Sequence, residues 1–159
     1  MTTVDDWLKN AKYVRDNILN ETERIVYAKE NEIIRLQTSQ IDNYIGFDDK
    51  KLKNTNDLFN GVYKLSTQFY AEDKNYLAPK EAGKPYNFLA TGDFLNGMNL
   101  EISNDLTKFS IFSNGTGSGL KANFFAGYTN LFGLTNNNTE IVNYKIILPE
   151  LQKFVKKYL

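Results

Sequence analysis

The chain has 159 residues, a length that fits one domain with a sizeable hydrophobic core. It contains neither cysteine nor histidine, which excludes disulfides, thiol nucleophiles, histidine-activated nucleophiles and the usual cysteine or histidine metal sites. Lysine plus arginine and aspartate plus glutamate both number 19, and this balance favours neither nucleic acid nor an anionic membrane as a partner.

A long amphipathic helix is predicted at the N-terminus, over residues 1–30. Apolar residues recur at steps of three and four from Val4 to Val26, and the acidic pair Asp5 and Asp6 follows threonines that can cap the helix. At ~1.5 Å per residue the helix is about 40 Å long, more than the core of one small domain needs. Either part of it packs on another molecule, or it is an ordinary core helix with a frayed end.

A short strand is predicted over residues 31–40, where Ile34 and Leu36 alternate with polar residues. From residue 41 to 96 the pattern is weak and predicts a long irregular arm, in which the stretch 53–75 fits no single element, although residues 62–70 could form a strand or a short helix. Such segments tend to be functional or to become ordered against a partner. The acidic loop 46–52 lacks the ligand spacing of a calcium site, so no metal is predicted there.

The most distinctive motif is a Thr-Gly-Asp turn that is preceded by Leu89 and followed by Phe94. Gly92 can adopt a backbone conformation closed to other residues, and Thr91 and Asp93 are expected to hydrogen-bond to neighbouring amides. An aspartate that fixes its own turn is far commoner than a catalytic one. We therefore interpret the motif as a structural corner.

A β-hairpin is predicted over residues 97–113, because alternation of apolar and polar residues stops at a turn and then resumes. The glycine-rich stretch that follows lacks the Lys-Ser/Thr pair of a phosphate loop and is interpreted as a linker.

Residues 120–159 are predicted to be the C-terminal helical part. A short helix is followed by an apolar segment that contains Phe132, Gly133, Leu134 and Thr135. The asparagine run 136–138 is predicted as a loop, with Asn138 or Thr139 capping the final helix. Pro149 either kinks that helix or begins a new one.

These elements predict a single α+β domain over residues 1–159. A long N-terminal helix and a C-terminal helix are expected to pack on a small, mainly antiparallel sheet, with a long irregular middle segment. With no histidine or cysteine available, we predict no catalytic residue, no cofactor and no metal site.

Five short motifs follow one another after the first helix: residues 34–41, the acidic loop 46–52, a Lys-x-x-Gly-x-Pro stretch at 80–85, the Leu-Ala-Thr-Gly-Asp-Phe core at 89–94 and Phe-Gly-Leu-Thr at 132–135. Their order resembles that in small structural proteins of tailed bacteriophages, notably phages of Bacteroidetes and the crAss-like group. It is also similar to the tail-completion and neck families, in which a strand-helix domain forms a ring between portal and tail. Residues 53–75 match no part of these proteins.

The resemblance implies a non-enzymatic virion structural protein, a subunit of a homo-oligomeric ring in the neck or tail that holds head and tail together. The implied partners are other virion proteins, such as the portal and neighbouring ring or tail proteins. Residues 89–94 and 132–135 would then be markers of the family. The opening Met-Thr-Thr-Val-Asp-Asp is unlike a signal peptide, so we expect synthesis in the host bacterial cytoplasm before assembly into the virion. No membrane and no sequence-specific nucleic acid are expected as partners.

Two other functions also fit the sequence. A phage-borne carbohydrate- or peptidoglycan-active enzyme could use Asp93 with Glu101 or Asp105 as its carboxyl pair. The other possible function is that of a small monomeric adaptor that binds one partner.

Overall fold

A long helical N-terminus, a two-stranded antiparallel sheet and a helical C-terminus make up the computed structural model, which describes residues 3–55 and 61–159. The α-helices are α1 (Val4–Ala28), α2 (Glu30–Asp42), α3 (Leu65–Glu72), α4 (Asp93–Asn96), α5 (Gly119–Ala126), α6 (Asn136–Glu140) and α7 (Leu148–Tyr158). The strands are β1 (Met98–Ile102) and β2 (Phe109–Ser113). The predicted α+β class is confirmed.

Helix α1 begins with a capping box, because the side chain of Thr3 and that of Asp6 each accept a hydrogen bond from the other residue's backbone N–H. The helix runs for 25 residues. At ~1.5 Å per residue this is roughly 37 Å, close to the predicted length. Its buried residues are Val14, Ile25 and Val26, whereas residues 3–9 are all exposed. The first turns of α1 therefore contribute little to the core.

The strand predicted over residues 31–40 is wrong, because these residues lie in α2. The prediction depended on Ile34 and Leu36, which are only partly buried. The buried positions follow helical spacing instead and are Ile33, Gln37, Gln40 and Ile41. Two of these four side chains are polar, so the buried face did not stand out as a hydrophobic pattern.

Gln37 and Gln40 hold a C-terminal segment against α2, an arrangement that we call the glutamine clamp. The Nε2 of Gln37 donates to the Leu131 carbonyl at 2.8 Å, and its Oε1 accepts from the Gly133 N–H at 2.9 Å. Gln40 repeats the pattern: it donates to the Gly133 carbonyl and accepts from the Thr135 N–H, both at 2.9 Å. The two side chains thus do for this segment what the backbone of a neighbouring strand does in a sheet.

The predicted hairpin is confirmed, and its register pairs Met98 with Ser113. The N–H of Leu100 on β1 donates to the carboxylate of Glu30 at 3.0 Å, which joins the sheet to the start of α2. The buried apolar side chains of the hairpin are those of Met98, Leu100 and Ile111.

The segment predicted as an irregular arm, residues 41–96, begins with the last two residues of α2 and contains the short helices α3 and α4; the rest of its described part is irregular, with turns and isolated bridges. It packs back on the C-terminal part: the Nδ2 of Asn54 donates to the Phe124 carbonyl at 2.9 Å, and that of Asn130 donates to Asp48 at 2.8 Å. Of the stretch that fitted no element, residues 56–60 lie outside the described residues.

The predicted helical C-terminus contains α5, α6 and α7, with a π-helix over Ile141–Ile147 between the last two. The loop predicted at residues 136–138 is wrong, because these asparagines form the first turn of α6. Thr135 caps that turn, and its hydroxyl accepts from the Asn138 N–H at 3.2 Å. Pro149 lies in the first turn of α7, which follows the π-helix without a break, so the proline marks the change from π-helix to α-helix.

Gln37→Met tests the glutamine clamp. The thioether keeps the side-chain length but removes both hydrogen bonds, so the Leu131 carbonyl and the Gly133 N–H lose these partners. We expect the free energy of unfolding, measured by urea denaturation, to fall by roughly 2–5 kcal/mol. Gln152→Met, the same substitution at an exposed site on α7, should change it by less than about 0.5 kcal/mol. A loss below ~1 kcal/mol for Gln37→Met would contradict the clamp's role.

Candidate binding pocket

The Thr-Gly-Asp turn forms part of the rim of a cavity of about 380 Å³, which we call the aromatic pocket. This volume lies at the lower end of the range for small-ligand sites. Its aromatic lining consists of Tyr63, Tyr70, Tyr76, Tyr86, Phe88, Phe94, Phe124 and Phe125. Within the described part of the chain, its charged lining residues are Lys80, Asp93 and Lys121.

Gly92 has the left-handed backbone conformation that the sequence predicted, with φ of 84°, and it immediately precedes α4. A side chain there would also meet Leu77, since a Cβ would lie 2.9 Å from its Cδ1. The expected bonds from Thr91 and Asp93 to neighbouring amides are replaced by a bond between the two side chains, in which the Thr91 hydroxyl donates to the Asp93 carboxylate at 2.6 Å. The turn is therefore closed by its own side chains.

The same contacts determine the charge of Asp93. The hydrogen bond from Thr91 is the main cause that lowers the pKa of this carboxyl, and the ammonium of Lys121, 3.5 Å away, lowers it further. Asp93 is therefore an ionised, half-neutralised group at the rim. A carboxyl group that must donate a proton at neutral pH needs a raised pKa, whereas the pKa of Asp93 is lowered.

The glycine-rich stretch after β2 packs against the Thr-Gly-Asp turn, although the sequence suggested a linker. The hydroxyl of Ser113 donates to the Phe94 carbonyl at 2.6 Å. A Cβ on Gly115 would lie 1.9 Å from the carbonyl oxygen of Asp93, so this position has no room for a side chain. The end of the hairpin thus holds the rim of the pocket in place.

A buried ammonium group lies beside the tyrosines. Lys80 is 6% exposed; its Nζ donates to the Oδ1 of Asn87 and lies 5.4 Å and 5.5 Å from the ring centres of Tyr63 and Tyr76. The same Oδ1 accepts from the hydroxyl of Tyr63 at 3.0 Å. Asn87 therefore positions both the amine and one wall of the pocket.

Lys80 has no carboxylate partner within residues 3–55 and 61–159. Burial lowers the pKa of its ammonium group, because the charged form has lost water without gaining a counter-charge. Lys80 and Asn87 were not predicted as site residues. Their signal was their position, since Lys80 opens the Lys-x-x-Gly-x-Pro motif and Asn87 lies two residues before the core motif 89–94.

The second predicted marker is placed elsewhere. Gly133 and Thr135 are held by the glutamine clamp, and Phe132 contacts Phe94 with ring centres 5.9 Å apart. Phe94 in turn stacks on Phe125 at 4.3 Å. The segment 132–135 thus supports the pocket from behind without lining it.

The enzyme hypothesis requires its carboxyl groups to line one shared cavity, but those of Asp93 and Glu101 line different ones. Asp93 lines the aromatic pocket, whereas Glu101 lines a separate cavity of about 410 Å³ on the hairpin. Asp105 lies in the hairpin turn, where the hydroxyl of Ser103 donates to it at 2.6 Å and is the main cause that lowers its pKa. A glycosidase needs a pair that faces across one cleft, with the pKa of its acid raised.

No group of three or more acidic side chains placed to hold a metal ion occurs in the described ranges. In the acidic loop 46–52, Asp48 instead accepts hydrogen bonds from Asn130 and from the N–H of Lys50. Among the described helices, none combines the length and the apolar character required to cross a bilayer.

No protein-family model, no curated protein and no solved structure matches this chain. The function therefore has to be inferred from the geometry of the chain and from its own motifs.

The buried amine makes the stability of the fold depend on pH. Because the pKa of Lys80 is lowered on folding, the unfolded chain binds this proton more tightly, and stability rises with pH up to the unfolded pKa of about 10.4. Lys80→Met removes this titration. We therefore expect the wild type to gain stability relative to Lys80→Met between pH 7 and pH ~10 in urea denaturation.

Lys84→Met, which removes an exposed lysine of the same segment, is the matched control. If the wild type gains no stability relative to Lys80→Met as the pH rises, or loses stability relative to it, Lys80 does not titrate as a desolvated amine.

Proposed function

We propose that this chain is a non-enzymatic bacteriophage virion structural protein, a subunit of a ring in the neck or tail that joins head and tail. The order of its motifs, which resembles that of small phage structural and tail-completion proteins, supports the proposal. The structural observation that carries it is the exposed apolar end of α1.

Val4, Trp7 and Leu8 form an apolar stripe at helical spacing, with exposed fractions of 76%, 50% and 46%. Further along α1, Tyr13 packs against Tyr158, the last residue of α7, with ring centres 4.6 Å apart. The first turns of α1 thus lie beyond the point where the two terminal helices meet. An apolar stripe that continues past the protein's own core is typical of a surface that another protein covers.

A second exposed apolar patch lies on α3, where Leu65, Phe69 and Tyr70 are 57%, 58% and 61% exposed. The subunits of a closed ring contact one another through heterologous interfaces, in which one surface of a copy meets a different surface of the next. The α1 stripe and the α3 patch provide two such surfaces on separate elements. We propose the portal and neighbouring ring or tail proteins as the further partners.

The α1 stripe can be tested without disturbing the core. Wild-type protein, mixed with the portal and tail proteins encoded by adjacent reading frames, should form discrete high-order particles by mass photometry and negative-stain imaging. Trp7→Asp combined with Leu8→Asp should reduce the assembled fraction at least about tenfold, because two charges would be desolvated in the contact. Lys12→Asp, which alters the net charge by the same amount at an exposed site of α1, should assemble normally.

Both altered side chains are exposed, so the free energy of unfolding of the double variant should stay within about 1 kcal/mol of wild type. The ring proposal is contradicted if the wild type forms no discrete assembly, or if the double variant assembles as well as Lys12→Asp. A wild type that binds its partner only in a one-to-one complex would support the monomeric adaptor instead.

The position of Asp93 at the rim of an aromatic pocket is the observation that favours the enzyme alternative. If a carbohydrate or peptidoglycan substrate were cleaved with Asp93, Asp93→Asn would abolish product release. Under the structural proposal, the wild type releases no soluble fragments from purified peptidoglycan or capsular polysaccharide, and Asp93→Asn affects only stability or assembly. Cleavage by the wild type that disappears in Asp93→Asn would overturn the structural proposal.

A further inference from the structure

We propose that the aromatic pocket binds a small carboxylate whose body is a ring-sized apolar group, with the carboxylate paired to Lys80. This site shares Tyr70 with the α3 patch but uses no residue of the α1 stripe, so the assembly test on the stripe does not touch it. The proposal depends on the shape of the pocket, on the buried amine and on the balance of charge in the lining.

The walls suit an apolar ring. Tyr63 and Tyr86 meet edge to face with ring centres 4.7 Å apart, and Tyr86 meets Phe124 in the same way at 5.4 Å. These contacts fix the orientation of the rings, and a flat ligand can pack on them without first ordering flexible side chains. A cavity of about 380 Å³ has room for one or two rings rather than for a large molecule.

The buried ammonium group of Lys80 is suited to binding an anion. Lys80 is nine-tenths buried or more, and its hydrogen bond to Asn87 uses one of the three ammonium protons. The faces of Tyr63 and Tyr76 offset part of the lost hydration, but a cation–π contact is weaker than a charge-assisted hydrogen bond. A carboxylate that enters the pocket can accept the remaining protons and supply the missing counter-charge.

The charge balance favours a monoanion. Among the described residues that line the pocket, the charged groups are two cations, Lys80 and Lys121, and one anion, Asp93. Asp93 is paired with Lys121 at the exposed rim, whereas Lys80 has no carboxylate partner among the described residues. The buried end keeps one net positive charge, which one carboxylate neutralises. A phosphate group would need more donors than one ammonium group provides, and no arginine is among the described residues that line the pocket.

Such a ligand has two sources, a free organic acid or the C-terminal residue of a polypeptide. The probes are therefore 3-phenylpropionate with its amide, and the peptide acetyl-Gly-Ser-Phe with a free or an amidated C-terminus. Binding is measured by NMR titration of the labelled full-length protein. We expect one or both acids to bind at least about tenfold more tightly than the matching amide.

Lys80→Met should abolish the preference for the acid, whereas Lys84→Met, outside the pocket lining, should retain it. A preference shown by the phenylpropionate pair identifies a free acid as the ligand source, and one shown only by the peptide pair identifies a polypeptide C-terminus. Acids and amides that bind equally, acids that do not bind below about 10 mM, or a preference that survives in Lys80→Met each overturn the proposal. The acid–amide comparison on the wild type remains decisive even if Lys80→Met does not fold.

Discussion

The glutamine clamp is the interaction on which the rest of this fold depends. Gln37 and Gln40 are 0% and 5% exposed, and each makes bonds to the main chain more than 90 residues away. A primary amide is both donor and acceptor, so one glutamine can satisfy a carbonyl and an N–H of the same segment. Two glutamines three residues apart lie on one face of α2 and can therefore hold a segment of five residues. Loss of either partner would leave polar backbone groups inside the protein.

The clamp also determines where the aromatic pocket forms. Once the segment around Gly133 is held against α2, Phe132 is placed beside Phe94, and Phe94 stacks on Phe125 of α5. Phe94 directly follows the Thr-Gly-Asp turn, so this stack joins the rim of the pocket to its wall. The two sequence motifs that looked independent, residues 89–94 and 132–135, thus meet in one aromatic cluster. The packing of α5, the Thr-Gly-Asp turn and the clamped segment against one another therefore depends on both motifs.

Elements with a regular apolar pattern could be predicted from the sequence, and those whose buried face is polar could not. Helix α1 has both its periodicity and a threonine cap, and in the hairpin β1 alternates apolar and polar residues throughout. Helix α2 was mistaken for a strand because two of its four buried residues, Gln37 and Gln40, are polar. The pocket was missed for a related reason: the burial of Lys80 depends on where the weakly patterned segment around Tyr63 and Tyr76 folds. Tertiary packing determines contacts of this kind, so they produce no periodic pattern of apolar residues in the local sequence.

Neither the exposed end of α1 nor the buried amine of Lys80 helps the isolated chain to fold. Val4 and Trp7 extend an apolar face past the core, where water contacts it. Lys80 places a positive charge among tyrosine rings without a carboxylate partner in the described residues, which opposes folding. Features that oppose or fail to assist folding concentrate where a protein meets another molecule. An apolar partner surface would cover the stripe and an anion would neutralise the amine, so the two proposals concern two different contacts. The stripe can therefore serve assembly whether or not the pocket is occupied.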